Sequence, residues 1–300
     1  MEITAKEPKK VKLKAPRRDQ YKRYTRSVGG NIVYTLLLLI FGLFSVLPMI
    51  YSILTSLKPL DELLVFPPRF FVVRPTPMNY QMLPSLLDNL AVPLSRYIFN
   101  SLFVSIVATV LHVIVASMAA YVLSKTDIKF KKTIFAIVQF SLLYNAYTLE
   151  IPRYIIYSSL HMIDTYLIYI LPAIPSSMGV FLMKQFMDAN VPDPLIEAAR
   201  IDGAGTFRVF WQIVMPIVKP AWLTLSLFSF RDLWQIMPSG TIFSEELKTL
   251  PYAASTIAAG GLTRAGAAMA VTVIMMIPPI IVYLISQRSV TQTMSSSGIK

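Results

Sequence analysis

Long uncharged windows dominate the chain and are separated by short clusters of charged residues. No Asp, Glu, Lys or Arg occurs between Arg26 and Lys58, and similar windows lie between Arg96 and Lys125 and between Arg264 and Arg288. An apolar run of about 20 residues can cross the ~30 Å hydrocarbon core of a bilayer as a helix. The pattern therefore predicts an all-α membrane protein.

Six membrane-spanning helices fit between the charges. They are predicted at 31–54, 97–122, 133–150, 165–187, about 217–238, and between Arg264 and Arg288. The fifth contains the pair Arg231-Asp232, and neither uncharged part beside this pair is long enough to span alone. The predicted organisation is a basic tail at 1–30, a six-helix membrane domain at 31–290 with a long loop at 188–216, and a short tail at 291–300.

The distribution of basic residues predicts the orientation. With both termini on the cytoplasmic side, 18 Lys and Arg lie inside and seven lie outside, and the cluster from Lys125 to Lys132 contributes most locally. This asymmetry matches the positive-inside rule. The loop at 188–216 is then cytoplasmic, and the proline-rich loop at 55–96 is an ordered segment on the outer side.

Composition narrows the function. Charged residues make up 15% of the chain, against about 25% in soluble domains. The absence of cysteine excludes disulfides and thiol chemistry, and the two histidines have no partner at a metal-ligand spacing. Ten Lys and Arg in the first 30 residues favour retention on the cytoplasmic side over nucleic-acid binding, which needs a folded basic surface. No catalytic residues, metal site or cofactor site are predicted.

The loop at 188–216 predicts a helix, a sharp turn and a second helix. Asp193 is a candidate N-cap with Pro194 in the first helical position. Gly203 supplies the left-handed residue that ends a helix, and Thr206 is a candidate cap for the second one. Taken on the residues alone, an ordinary cytoplasmic helical hairpin is an equal alternative to a docking element.

The amino-acid sequence of this loop resembles the EAA loop of binding-protein-dependent ABC importer permeases, in particular those of the carbohydrate and oligosaccharide branch. The matching positions are Glu197, Ala198, Ala199, Asp202, Gly203, Ala204, Phe207, Ile213, Val214, Pro216 and Pro220. Met215 stands where the pattern has leucine, which is a volume-conserving exchange. Further similarity covers roughly 30–300, including Asn100-Ser101, Phe181–Phe186 and the segment Pro75–Tyr80.

The resemblance implies a type I importer permease fold with a cytoplasmic coupling helix formed by Glu197, Ala198, Ala199, Asp202, Gly203 and Ala204. It also implies a second permease, two ATPase subunits or one ATPase homodimer, and an extracytoplasmic binding protein that delivers a sugar. ATP would then be bound by the partners, and no Gly-x-x-x-x-Gly-Lys-Ser/Thr loop occurs in this sequence. The expected location is the bacterial plasma membrane.

The candidate solute contacts lie in the fifth span. Thr224, Arg231 and Trp234 recur at a helical spacing on one face, and an aromatic ring beside a guanidinium suits a sugar. Arg231 could instead form an interhelical ion pair or a polar contact with the partner permease. Tyr144 and Asn145 in the third span could line the same path or could only pack between helices.

Two other functions remain open from the residues. A secondary transporter would need an internal repeat or several buried acids, and the spans contain essentially one acid, Asp232. A membrane enzyme acting on lipid-linked sugar would need a catalytic acid or metal group at the interface. Glu150 with Asp164 is the first pair to consider for that role.

Overall fold

The computed structural model describes residues 28–87, 92–143, 149–238 and 240–297, and every regular element within them is a helix. The prediction of an all-α protein is confirmed. The basic tail before residue 28, Tyr144 and Asn145, and the last three residues lie outside the described part.

The described helices follow in chain order. They are α1 (Val28–Ser56), α2 (Leu60–Leu63), α3 (Met78–Gln81), α4 (Leu83–Leu87), α5 (Leu94–Lys125), α6 (Lys131–Ser141), α7 (Glu150–Ser159), α8 (Leu167–Ile170), α9 (Ser177–Asn190), α10 (Asp193–Ile201), α11 (Thr206–Val209), α12 (Met215–Ile217), α13 (Lys219–Trp234), α14 (Leu250–Ala258) and α15 (Ala265–Ser297). Short 3₁₀ turns occupy Leu171–Ala173, Glu245–Leu247 and Gly261–Arg264, and a π-helix occupies Phe210–Val214.

Four helical stretches of the described residues are long and apolar enough to cross a membrane. They are Gly29–Ser56, Leu94–Lys125, Leu167–Asn190 and Gly261–Gln287, and a bent pair, Thr206–Ile217 with Lys219–Trp234, makes a fifth if it is counted as one span. The first, second, fourth and sixth predicted spans therefore have helices of the expected length.

The third predicted span, 133–150, is not one long helix. The structure has the 11-residue α6 there, which reaches only about 16 Å. Glu150, the predicted end of the span, is the first residue of α7. The prediction went wrong because a charged residue marks the edge of an apolar window but not the end of a helix.

The fifth predicted span, 217–238, is shorter and bent. Its helix α13 has 16 residues and reaches about 24 Å, and the chain turns by 81° between α12 and α13. Pro220 cannot donate a backbone hydrogen bond to the carbonyl of Pro216, so the helical ladder is broken at this place. The indole of Trp222 donates to the carbonyl of Met215 at 3.1 Å across the bend.

The helix α5 connects two groups of contacts at its two ends, which we call the Tyr97 end and the Lys125 end. The hydroxyl of Tyr97 donates to the carboxylate of Glu245 at 2.6 Å. At the other end Lys125 donates to the carboxylate of Asp193 at 2.7 Å. With 32 residues, α5 separates these contacts by about 48 Å.

From residue 51 onward, the described chain passes between these two ends five times. The α6 helix begins at the Lys125 end, where Lys131 donates to the Ser124 carbonyl at 2.9 Å. Residue 164 is at the Tyr97 end, because the amide of Asp164 donates to the carbonyl of Thr241 at 3.0 Å. The stretch 131–164 is therefore one pass, and α5, α8 with α9, α13 and α15 are the others.

The chain divides into two compact units, residues 1–50 and 51–300. In the first, the described part of α1 is apolar and exposed along its length, as in Phe41 and Phe44. Exposed apolar helices of this length suit a lipid environment.

The two largest of four hydrophobic clusters hold the second unit together. One lies towards the Lys125 end, where α5, α9 and α13 bury Tyr121, Met183, Met187 and Leu225 together with residues of the loop 191–218. The other lies towards the Tyr97 end and includes Tyr97, Trp234 and Leu250 with α4 and α15. The loop 188–216 is thus anchored on a core and not only attached at its ends.

The segment between α1 and α5 is ordered from residue 57 to residue 87. The carboxylate of Glu62 accepts the amide of Arg74 at 2.8 Å and that of Val73 at 3.2 Å. The side-chain amide of Asn79 donates to the carbonyls of Ser56 and Lys58 at 2.8 Å each. Side chains thus satisfy the backbone of a segment that has little regular structure.

Candidate functional site

The helix α10 begins at Asp193 and follows an extended residue, Pro192. Pro194 is the second residue of α10, one position later in the helix than predicted, and still lies in the first turn, where a missing N–H costs nothing. Asp193 does not cap the helix with its side chain. Its carboxylate instead binds Lys125 at 2.7 Å, which attaches the start of α10 to the end of α5.

A complete set of end-capping hydrogen bonds terminates α10. The amide of Gly203 donates to the carbonyl of Arg200 at 3.0 Å, and the amide of Ala204 donates to the carbonyl of Ala199 at 2.9 Å. Gly203 has a φ of +81°. This is the Schellman arrangement, in which the left-handed residue is usually glycine because a Cβ there costs about 1–2 kcal/mol.

The two faces of α10 have different surroundings. Ile196 is buried, and Ala199 and Ala204 pack against the core at the Lys125 end. Glu197, Ala198, Asp202 and Gly203 are exposed, and Ile201 is 86% exposed beside them. The small residue Ala199 therefore seats the helix on its own chain, whereas Ala198 stays available on the outside.

Apolar side chains extend this exposed face beyond α10. Leu195 is 42% exposed and Phe207 is 67% exposed, and the ring of Phe207 contacts that of Trp211 with 6.2 Å between centroids. Large exposed apolar residues with polar neighbours are typical of protein interaction surfaces. We call Leu195, Glu197, Ala198, Ile201 and Phe207 the α10 surface.

A π-helix connects the α10 surface to the fifth span. It covers Phe210–Val214, and Phe210 and Val214 are buried in the same core as Ile196. The chain then bends at Val218 into α13. Single-turn π-helices are frequent at functional sites because they interrupt a regular ladder. Buried contacts in one core therefore join α10 to α13.

The structure separates the three predicted contacts of the fifth span. Thr224 is 4% exposed, and its hydroxyl donates to the Pro220 carbonyl at 2.8 Å. Trp234 is 2% exposed and stacks on Phe230 with 5.8 Å between centroids. Arg231 is exposed. The three side chains do not form a shared exposed face, while Tyr144 and Asn145 lie outside the described residues.

Trp234 has a structural hydrogen bond instead. Its indole N–H donates to the carbonyl of Met275 at 2.9 Å. That carbonyl would normally accept from the residue four positions later, which is Pro279 and has no N–H. The buried tryptophan therefore satisfies a carbonyl that the proline pair of α15 leaves free.

A polar cluster at the Tyr97 end was not predicted as a unit. The amide of Asn100 donates to the carbonyls of Glu246 and Lys248 at 2.8 Å each and accepts from the hydroxyl of Tyr166 at 2.6 Å. Ser101 accepts the amide of Leu250 at 2.7 Å. These bonds fix the loop 240–250 on α5, and only the position of Asn100-Ser101 at the start of a span pointed to them.

Lys248 in this loop and Asp164, which contacts the loop, have shifted pKa values. Hydrogen bonds from the hydroxyl and amide of Ser244 lower the pKa of Asp164. Burial acts to lower the pKa of Lys248, but its hydrogen bonds to the Glu245 carboxylate and the Tyr252 hydroxyl raise it overall. Both groups therefore hold their charges over the physiological range. Within the described residues, no group of three His, Asp or Glu side chains could hold a metal ion.

Comparison with known proteins finds relatives that are transport permeases. No family model matches the chain. It is 28% identical over 272 residues to the arabinooligosaccharides transport system permease protein AraQ of Bacillus subtilis, covering 90% of this chain and 96% of AraQ. It is 28% identical over 268 residues to the sulfoquinovosyl glycerol transport system permease protein SmoH of Agrobacterium fabrum, covering 88% and 91%.

A solved structure has the same fold. It is the crystal structure of a bacterial ABC transporter involved in the import of the acidic polysaccharide alginate, and one of its chains superposes with a TM-score of 0.75 at 23% identity. The match covers 88% of this chain and 98% of the other.

Proposed function

We propose that the chain, a homologue of permease subunits of sugar transport systems, is one of two membrane subunits of a bacterial ATP-driven importer. It is a multi-pass membrane transporter and not an enzyme. Its solute would be a sugar or oligosaccharide, which is the kind of solute named for AraQ.

The α10 surface is the observation that carries the proposal. A nine-residue helix is held on the core by Ile196 and on α5 by the Lys125–Asp193 pair. Its opposite face exposes Glu197, Ala198 and Ile201. A helix that packs on the core with one face and exposes apolar and acidic residues on the other is suited to bind a soluble partner and to transmit its movement to the spans.

ATP hydrolysis would take place in that partner. The sequence has no phosphate-binding Gly-x-x-x-x-Gly-Lys-Ser/Thr loop. Two ATPase subunits, or one ATPase homodimer, would dock on the α10 surface and on its equivalent in a second permease, most simply a different chain. An extracytoplasmic binding protein would deliver the sugar at the Tyr97 end.

The orientation follows from charge. Lys125, Lys129, Lys131 and Lys132 lie at the end of α5 that also contacts α10. Placing this end in the cytoplasm of a bacterial cell satisfies the positive-inside rule and puts both termini and α10 on the side where ATP is present.

The end of α10 provides the test. Gly203→Ala introduces a Cβ at a φ of +81° with no atom within 4 Å to clash with it, so its effect is confined to the backbone. In a complex with the second permease and ATPase, sugar-stimulated ATP hydrolysis should fall about five- to thirtyfold if the 1–2 kcal/mol cost falls on the docked state.

Two variants control this experiment. Gly205→Ala should leave the rate unchanged, because Gly205 is equally uncrowded but has an ordinary φ of −68°. Gly203→Asn should retain much of the activity, since asparagine tolerates the left-handed conformation. Normal assembly and normal stimulated hydrolysis in Gly203→Ala would show that α10 does not couple the ATPase to transport.

A further inference from the structure

A cavity of about 620 Å³ lies between three helices near the Tyr97 end. Its size is within the ~300–1,000 Å³ of small-molecule sites. It is distinct from the α10 surface, and neither Arg231 nor Trp234 lines it.

Each of the three helices contributes one face to the lining. Glu150, Arg153, Tyr154 and Tyr157 come from α7 at positions i, i+3, i+4 and i+7, which is a single helical face. Tyr169 comes from α8, and Asp232 comes from the last turn of α13.

The charged groups of the cavity are free to bind a ligand. Within the described residues, no hydrogen bond or ion pair engages the side chains of Glu150, Arg153 or Asp232. All three are exposed, so their hydration compensates for the absence of a partner. A ligand that replaces this water must supply hydrogen bonds in return.

The chemistry of the lining selects a ligand rich in hydroxyl groups. Carboxylates accept hydrogen bonds from hydroxyls, and a guanidinium donates to them. The rings of Tyr154 and Tyr157 offer flat apolar surface for the C–H face of a sugar ring. A purely apolar ligand would leave three charges unsatisfied.

The charge balance of the lining selects further among sugars. Two carboxylates and one guanidinium give the cavity a net charge of −1. A uronic-acid chain would place its carboxylates near Glu150 and Asp232, and like charges repel in a site that is partly shielded from water. The lining therefore disfavours an acidic solute of the kind named for the alginate transporter.

We propose that this cavity is a binding site for a neutral oligosaccharide on the outward half of the transport path. The proposal rests on the proposed transport function and specifies the solute class and the residues that bind it. Asp232 and Glu150 accept from sugar hydroxyls, Arg153 donates to them, and Tyr154 and Tyr157 provide the stacking surface.

Binding to the full-length chain in lipid nanodiscs tests the proposal. Saturation-transfer NMR would compare a neutral trisaccharide, raffinose, with an acidic one, trigalacturonate. We expect raffinose to bind and trigalacturonate to bind at least about tenfold more weakly. Asp232→Asn should weaken raffinose about tenfold or more, because charge-assisted hydrogen bonds are lost.

The adjacent residue provides a matched control. Arg231→Gln changes a charge one position away, on a side chain that does not line the cavity, and should leave raffinose binding unchanged. The double variant Glu150→Gln with Asp232→Asn leaves Arg153 as the one charged side chain of the lining, so trigalacturonate should bind it more tightly than it binds the parent chain. Thermal unfolding of each variant checks that the fold is retained.

The outcomes separate this inference from the transport proposal. Tighter binding of trigalacturonate to the parent chain, or failure of both sugars to bind, would overturn the neutral-sugar site while leaving ATPase coupling intact. If raffinose binding depends on Asp232, the sugar site is supported. If the Gly203→Ala variant also shows normal stimulated ATP hydrolysis, the coupling role of α10 is rejected while the sugar site stands.

Discussion

Trp234 illustrates how a single residue can be interpreted in two ways. Its position beside Arg231 suggested a sugar-stacking ring, but its side chain is 2% exposed and its N–H is bonded to the Met275 carbonyl. Conversely, Asp232, the residue after Arg231, lines a cavity that Arg231 does not line. Along a helix, neighbouring side chains differ by about 100° in direction. A shift of one position in the sequence therefore decides whether a side chain faces the core or the cavity.

The hydrogen bond of Trp234 can be tested directly. Trp234→Phe keeps an aromatic ring but leaves the Met275 carbonyl without a donor, which should lower the free energy of unfolding by about 1–3 kcal/mol. Thermal or denaturant unfolding in detergent measures this change. Trp211→Phe, at a 38% exposed site, should change it by less than about 0.5 kcal/mol. If Trp234→Phe leaves the free energy of unfolding unchanged but abolishes sugar binding, Trp234 contacts the solute.

At the scale of elements, side chains that bind backbone groups determine how the loops are arranged. Asp164 accepts the amides of Phe243 and Ser244 at 2.9 Å each. It occupies a left-handed conformation with a φ of +59°, which aspartate tolerates better than most residues. One carboxylate thus joins the turn before α8 to the loop between α13 and α14.

This link should depend on pH. Because hydrogen bonds from Ser244 lower the pKa of Asp164 below its ordinary value of about 3.9, its contribution is complete above that value. It is lost as the pH falls through the lower pKa of the folded state. We expect hydrogen exchange at the amides of Phe243 and Ser244 to accelerate below about pH 4, after correction for the intrinsic rate.

Asp164→Asn should show faster exchange at these two amides already at pH 7, on the order of tenfold, because the charge-assisted bonds are weakened. It should also lack the acid-dependent step. Asp127→Asn, at an exposed carboxylate in the turn after α5, serves as the control and should behave as the parent chain does. Protection that is unchanged in Asp164→Asn would contradict the link.

At the scale of the whole molecule, the described residues from 51 onward form five passes between two ends, although fewer single helices are long enough to span. The stretch 131–164 is the informative one, since it connects the two ends through two short helices, α6 and α7. This pass is identified by the contacts of Lys131 and Asp164 at the two ends and not by the length of a single helix.

The topology can be tested without background, because the chain has no cysteine. Single cysteines at Phe66 and Phe243 should react with an impermeant maleimide on intact cells. Cysteines at Lys129 and Thr206 should react only after permeabilisation. Reversed labelling of all four positions would invert the orientation, and opposite labelling of Lys129 and Thr206 would show that the passes are assigned incorrectly.

The sequence by itself determined the class of the protein. Transfer of charge into hydrocarbon is expensive, so apolar windows bounded by charges locate most of the spans. The placement of Pro194 and Gly203 also predicts the helix and turn of α10, because proline and glycine act through local backbone geometry. The spacing Glu197–Pro220 carries the resemblance that the relatives confirm.

Only the tertiary structure decided which face of each element is covered. It shows that Ala199 is packed and Ala198 is exposed, that Trp234 binds a carbonyl freed by Pro279, and that Glu150, Arg153 and Asp232 line one cavity. The residues that meet in these contacts are distant in sequence, and the long helices α5 and α15 have no marked apolar face. A pattern of hydrophobic positions cannot distinguish a lipid-facing side from a packed one, since both are apolar.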